Sequence, residues 1–182
     1  MDEAGLATSD LTADSAMTIY NGVLYKALDW KSLTKTAQNR GRKSIRIISA
    51  VFGIVEPDDA ILKYKAKIKS AHWKPAIQEI LEARNDSLIV DCRSSTYQGV
   101  WTPPHDRTVE VRVFQVVNGE RSVITHMSKK YRGEFVRALL LLKNEPQEIS
   151  ELRGSLQQHF NFEFIPATSK SPIYLDLLVT AN

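Results

Sequence analysis

Residues 43–69 read KSIRIISAVFGIVEPDDAILKYKAKIK, and the rest of the chain is organised around this stretch. It opens on an apolar run, Ile45 to Ala50, broken only by Arg46 and Ser49. The run is short enough for a buried strand or a buried helical segment, and periodicity does not separate the two. A turn at Phe52-Gly53 follows, then the acidic group Glu56-Pro57-Asp58-Asp59, then the ladder Lys63, Lys65, Lys67 and Lys69. A turn between two apolar stretches beside many cations has the pattern of a helix–hairpin–helix-type loop, whose backbone N–H groups hold DNA phosphates without reading bases.

The bulk numbers set the frame. The chain has 182 residues, 43% hydrophobic and 25% charged, which suits one globular domain with a sizeable core. No apolar run reaches the length of a bilayer span, and the N-terminus is acidic and polar, unlike a signal peptide. The single cysteine, Cys92, excludes an internal disulfide framework and fits a reducing, cytoplasmic compartment. The net charge is only +3 but is unevenly placed. Residues 31–78 hold eleven Lys or Arg against three acids, whereas residues 1–30 hold one Lys against five. Such a block is either a surface that meets phosphates or a solvated face with no partner.

Along the chain, residues 1–16 lack apolar periodicity and are expected to form a flexible tail ahead of a single domain, 17–182. Ile19, Val23, Tyr25, Ala27 and Leu28 predict a helix closing near Asp29-Trp30. Ser32 is expected to cap a second, with Leu33 and Ala37 inward and Gly41 just past its end. A helix beginning at Ser70 or Ala71 carries Trp73, Ile77, Ile80 and Leu81 on one face, with Pro75 in or near its first turn. Residues 87–92 read as a buried strand, and 100–106 as loop, because Pro103-Pro104 cannot join a ladder. Val109, Val111 and Val113 alternate with Glu110 and Arg112, and Asn118-Gly119 is a two-residue turn dipeptide. A hairpin of 109–117 with 120–126 follows. Next come a helix burying Phe135, Val136, Leu139, Leu140 and Leu142, and another with Ile149, Leu152 and Leu156 inward. Strands around Phe160–Phe164 and Ile173–Val179 are expected to pair at a sheet edge. The fold class is α+β or mixed α/β: a mixed sheet, a β-hairpin and several flanking helices.

Two constellations carry candidate chemistry. Asp91, Arg93, Ser94 and Tyr97 stand at one strand-to-loop corner, where α/β sheets place their sites; the same set also suits a structural ion pair. Lys129, Lys130, Arg132 and Arg137 gather at the start of a helix, where cations oppose the helix dipole but an anion is welcome. The basic block 31–78, the cations at the start of this helix and the Asp91 corner are expected to face one cleft that holds phosphate, with a solvated face as the alternative at the helix. Arg46, Lys63, Tyr64 and Lys65 complete the candidate phosphate or nucleic-acid contacts. No catalytic residue is identified. His72, His105, His126 and His159 show no metal-ligand spacing, so neither a metal nor another cofactor is expected. Cys92 reads as a buried small hydrophobe.

The order Tyr20-Asn21-Gly22-Val23-Leu24-Tyr25-Lys26-Ala27-Leu28, then Arg46 to Gly53, then Pro57-Asp58-Asp59 resembles the YaaA family of peroxide-stress proteins. Trp73, Asp91-x-Arg93-Ser94-x-x-Tyr97 and Lys129-Lys130-x-Arg132-Gly133-x-x-x-Arg137 continue the match, closest to the actinobacterial branch. The resemblance implies a mixed α/β domain with a helix–hairpin–helix-like element and affinity for DNA. It implies protection of DNA and protein under peroxide by restraint of free iron. Relative to the family the chain reads as shortened at its N-terminal end, and Lys63-Tyr64-Lys65 stands where the family has Pro-Tyr-Arg. Three functions compete: a protein binding DNA without sequence preference, an enzyme acting on a nucleotide or nucleoside, and a degenerate interaction module with an open sheet edge.

Overall fold

The computed structural model describes residues 12–124 and 127–180. The contacts of the described residues group into two compact units, one up to residue 84 with 93–102, the other 85–92 with the described residues from 103 on. The chain is α+β, with a mixed sheet and antiparallel hairpins. Among the described residues no helix is long and apolar enough to cross a membrane.

In the first unit, strand β1 (Asp14–Ser15) pairs antiparallel with β4 (Ala60–Ile61). Helix α1 (Ala16–Ile19) follows at once, with Ala16 fully buried and its N–H bonded to Asp59 O at 2.9 Å. The end of the expected tail is therefore part of the fold, because Ala16 and Met17 bury and their backbone groups need partners. The helix expected over residues 19–28 is divided into α1 and α2 (Val23–Leu28), which stops at Asp29 in the left-handed conformation, φ +47°. Thr34, not Ser32, caps α3 (Lys35–Ser44), its hydroxyl accepting from Ala37 N at 3.2 Å. Ser32 bonds back to Asp29 instead. Gly41 lies inside α3, where the Trp30 ring leaves no room for a Cβ.

The apolar run of the opening stretch resolves as strand: β2 (Ile47–Ser49) pairs antiparallel with β3 (Gly53–Val55). Ile47 and Val55 face each other and are both buried. The Phe52-Gly53 turn thus joins two short strands. Gly53 has φ +75°, and a Cβ there would stand 2.8 Å from the Trp73 ring. Trp73 belongs to α4 (Ser70–Glu82) and donates its indole N–H to Ala50 O at 2.9 Å, tying that helix to the turn. The buried stripe of α4 is centred on Ile77 and Leu81, so Ile80, on its flank, is 54% exposed rather than inward. A short helix α5 (Ser95–Gln98) closes this unit's second segment.

The second unit is built on one sheet. Strand β6 (Thr108–Val117) turns through Asn118 and Gly119, at φ +51° and +84°, into β7 (Glu120–Val123). Both positive φ values are those of the type I′ turn that matches strand twist. The return strand, expected over 120–126, stops at Val123; Ile124 is not part of it, and residues 125–126 lie outside the described residues. β5 (Ile89–Asp91) and β9 (Ile173–Thr180) run parallel to β6, and β8 (Phe162–Ile165) pairs antiparallel with β9. Val109, Val111 and Val113 project from one face of β6 into a core with Leu175 and Leu177. Phe135 of α6 (Ser128–Leu141) and Leu152 and Leu156 of α7 (Ile149–Leu156) cover it. Each such side chain contributes about 1.5–3 kcal/mol by leaving water. Of the other residues expected inward on α6, Leu140 is buried, Val136 and Leu139 are half-buried, and Leu142 lies past the end.

The sheet contains a split. β9 lines one edge of β6 over residues 109–116, so β5 and β7 share the other edge, β5 beside 108–110 and β7 beside 114–117. Between them, Arg132 of α6 donates Nε–H to Val111 O at 3.2 Å.

Two predictions test these local arguments. In denaturant unfolding, Gly53→Ala should lose about 2–5 kcal/mol, since backbone strain and the Trp73 ring both oppose it. Gly119→Ala, with a similar φ but open space, should lose only about 1–2 kcal/mol. Arg132→Ala should lose about 1–3 kcal/mol by leaving a strand carbonyl without its donor, whereas exposed Lys129→Ala should stay within about 0.5 kcal/mol of the parent.

Candidate functional site

The acidic group of the opening stretch has specific tasks in the first unit. Glu56 pairs with Arg46 at 3.1 Å, and Asp58 pairs with Arg42 at 2.5 Å. Asp59 accepts the backbone N–H of Glu56 at 2.8 Å. All three carboxylates of the basic block are engaged by arginine or by backbone. The eight lysines of the block, Lys31, Lys35, Lys43, Lys63, Lys65, Lys67, Lys69 and Lys74, are all exposed. Among the described residues none of them enters an ion pair. Arg42 and Arg46 are structural, the lysines available. Arg46 is half-buried and also donates to Ile45 O at 2.7 Å, so it serves the β2–β3 hairpin.

Tyr64, between exposed Lys63 and Lys65, points the other way. Its hydroxyl lies 2.9 Å from Ser49 Oγ and 3.0 Å from the Tyr20 hydroxyl, and it accepts from Ala50 N at 3.3 Å. Ser49 Oγ accepts in turn from Val51 N and Phe52 N. The turn that Trp73 holds from one side is therefore held from the other by a chain of hydroxyls. Tyr25 stacks on Tyr20 with centroids 5.0 Å apart, and Phe52 meets Tyr64 edge-on at 5.6 Å. Burial raises the pKa of the Tyr20 phenol well above the ordinary tyrosine value, opposed by the Ser49 bond and reinforced by Tyr64. Burial, then the neighbouring Tyr64, does the same to Tyr25 and Tyr97. These phenols are neutral donors throughout the physiological range.

The corner residues are divided between the units: Arg93, Ser94 and Tyr97 belong to the first, Asp91 to the second. Arg93 donates to Tyr97 O at 3.3 Å and Trp101 O at 3.0 Å, and lies over the Trp101 ring. It braces the loop after the strand. Ser94 begins α5 without a side-chain cap bond. Asp91 is buried at the carboxyl end of β5, next to Cys92. The Cys92 thiol packs against the core, and its pKa is pushed up to about 12 by burial and by Asp91, with Arg132 pulling it down. It is a small hydrophobe here, not a nucleophile.

The cations at the start of α6 also separate. Lys129 and Lys130 are exposed, Lys130 reaching Glu134 at 3.5 Å along the helix. Arg132 turns inward to the sheet. Arg137 lines an open cavity of about 330 Å³ with Glu134, Lys143 and His159. Among the described residues no group of three His, Cys, Asp or Glu is placed to hold a metal.

Sequence reasoning selected Tyr64 but missed Ser49 and Tyr20, which it noted only as an interruption and as part of a resemblance. A serine that interrupts an apolar strand just before a turn is the one local signal for such a role. Nothing local links it to a tyrosine 15 residues on.

Comparison with known proteins agrees with the resemblance. The family described as "Peroxide stress protein YaaA" matches residues 3–165. A UPF0246 protein of Streptomyces coelicolor is 34% identical over 97% of this chain and 74% of its own length. A UPF0246 protein of Corynebacterium glutamicum is 36% identical over 76% of this chain, and the match spans only 59% of that protein. A protein of Campylobacter jejuni is 28% identical over 90% of this chain and 68% of its own. By its motifs in order and by these matches, the chain belongs to the YaaA family of peroxide stress proteins.

Proposed function

We propose that this chain acts in the cytoplasm under peroxide stress by binding DNA without sequence preference, through phosphate contacts from its lysines. The observation that supports this reading is the division of labour in the basic block: its carboxylates are taken up by arginines and backbone, and eight exposed lysines are left. Lysine ammonium groups that neutralise phosphates release condensed counterions, which supplies sequence-independent affinity. The same displacement bears on oxidative damage. Ferrous iron held at the phosphates generates oxidants beside the backbone, and a protein that occupies phosphates displaces that iron. In the second unit, exposed Lys129 and Lys130 offer further contacts of the same kind. A nucleotide-directed reading is favoured by a different observation, the cavity beside Tyr20.

The test is the salt dependence of duplex binding by the full chain. Replacing Lys63, Lys65 and Lys67 with Ala should weaken binding and flatten the slope of log affinity against log salt by about one unit for each phosphate no longer neutralised. Thermal stability should hardly change, since exposed charges contribute little. The parent should also protect plasmid DNA from nicking by ferrous iron and peroxide, and the triple variant should protect less. Equal slopes and equal protection for parent and variant would sink the reading.

A further inference from the structure

Ala50, in the turn between β2 and β3, is held on both sides of its backbone by side chains from further along the chain. Its N–H donates to the Tyr64 hydroxyl at 3.3 Å, and its carbonyl accepts the Trp73 indole N–H at 2.9 Å. The next two N–H groups of the turn, those of Val51 and Phe52, donate to Ser49 Oγ at 3.3 and 3.0 Å. The donors of the turn are thus spent inside the fold, and a phosphate would not find them. What the turn does instead is hold a segment. Tyr64 lies in the connection from β4 to α4 and Trp73 in the first turn of α4, so one residue tethers both ends of the stretch between them. The Trp73 end fits closely, since a Cβ on Gly53 would stand 2.8 Å from that ring.

Between the tethers the chain reads Lys65-Ala66-Lys67-Ile68-Lys69-Ser70-Ala71-His72, with three lysines and no carboxylate. Residues 65–69 form neither helix nor strand and contain no turn, and the three lysines are exposed while Ile68 is half-buried. In extended backbone, alternate residues recur about every 6.6 Å, close to the step between neighbouring phosphates of one nucleic-acid strand. Ordering a loose segment subtracts from affinity, and a segment ordered beforehand avoids that loss. We propose that residues 64–73 are a strap shaped in advance for one phosphodiester backbone, with Lys65, Lys67 and Lys69 as its contacts. Tyr64 and Trp73 are positioning residues, which carry no charge and act only through the placing of those lysines. The proposal rests on the DNA reading above and adds to it where the strand lies and what sets the lysines in place.

The experiment measures duplex affinity against salt for the full chain and for Tyr64→Phe, Trp73→Phe and Thr34→Ala. The last removes the α3 cap, a bond of the same unit outside the strap. Both tether variants keep every lysine, so the slope of log affinity against log salt should stay that of the parent. Affinity itself should fall about three- to tenfold at every salt concentration, the loss of one hydrogen bond. Thr34→Ala should lower the Tm and leave affinity unchanged. Tether variants that bind like the parent overturn the proposal, and so does a Thr34→Ala chain that loses as much affinity, since the loss then follows stability. Hydrogen exchange of the parent decides without any variant. The Ala50 amide and the Trp73 indole N–H should be protected before DNA is added, and protection that appears only with DNA overturns the strap. A parent slope that Lys65→Ala and Lys67→Ala flatten, with tether variants that bind like the parent, removes the strap and keeps the lysine reading. A slope indifferent to those lysines removes the lysine reading and the strap with it.

Discussion

Asp176 is 3% exposed in the middle of β9, between Leu175 and Leu177, and a carboxylate so placed is tolerated only when it is paired. Its partner is Arg112, directly opposite on β6, which grips it through two bonds of 2.6 and 2.8 Å while its guanidinium lies 3.8 Å from the Tyr174 ring centre. The same register that sets Arg112 beside Asp176 on one face sets Val111 and Val113 beside Leu175 and Leu177 on the other. A slip of one residue would push the charge into the apolar core and turn the valines out. Ion pair and core therefore enforce one pairing of the two central strands, and the positions of β5, β7 and β8 follow from it.

The requirement that buried polar groups be paired governs the first unit as well. Ser49 is fully buried at the end of β2, and its hydroxyl is satisfied by two backbone donors and Tyr64. The Trp73 indole N–H finds Ala50 O on the same turn. The acidic group that follows is drawn into structural contacts for a related reason: arginines that brace the hairpin and α3 need carboxylates, and the tight turn at Glu56–Asp59 needs a side-chain acceptor. Structure and function divide along residue type. Arginine, with its fixed fork of donors, does the holding, and lysine, a flexible point charge, is left at the surface.

That division explains which site residues were legible. The basic character of residues 31–78 is visible in composition, and so is the cation cluster at the start of α6. Which cation remains available is not, because Arg132 and Lys130 look alike in sequence, yet one bonds a strand carbonyl and the other reaches along its own helix. The corner at Asp91–Tyr97 reads as one constellation. In the structure its arginine braces the loop after the strand through Tyr97 O and Trp101 O, and its tyrosine lies near Tyr64, contacts that no spacing along the chain announces.

By itself the sequence determined the elements whose signals are local. Valines alternating into Asn-Gly specify the β6–β7 hairpin, because that dipeptide takes two positive φ values cheaply and period two exposes one face. The stripe from Trp73 to Leu81 specifies α4, and Leu152 and Leu156 specify the inward face of α7. The tertiary structure alone decided the strand identity of Ile47–Ser49, whose three residues are too few to show a period. It also decided the place of Asp14–Ser15, whose partner lies more than forty residues away. Most of all it decided the hydroxyl chain from Ser49 through Tyr64 to Tyr20. Hydrogen bonds depend on distance and angle between particular atoms, and a one-dimensional pattern of apolar and polar residues carries neither.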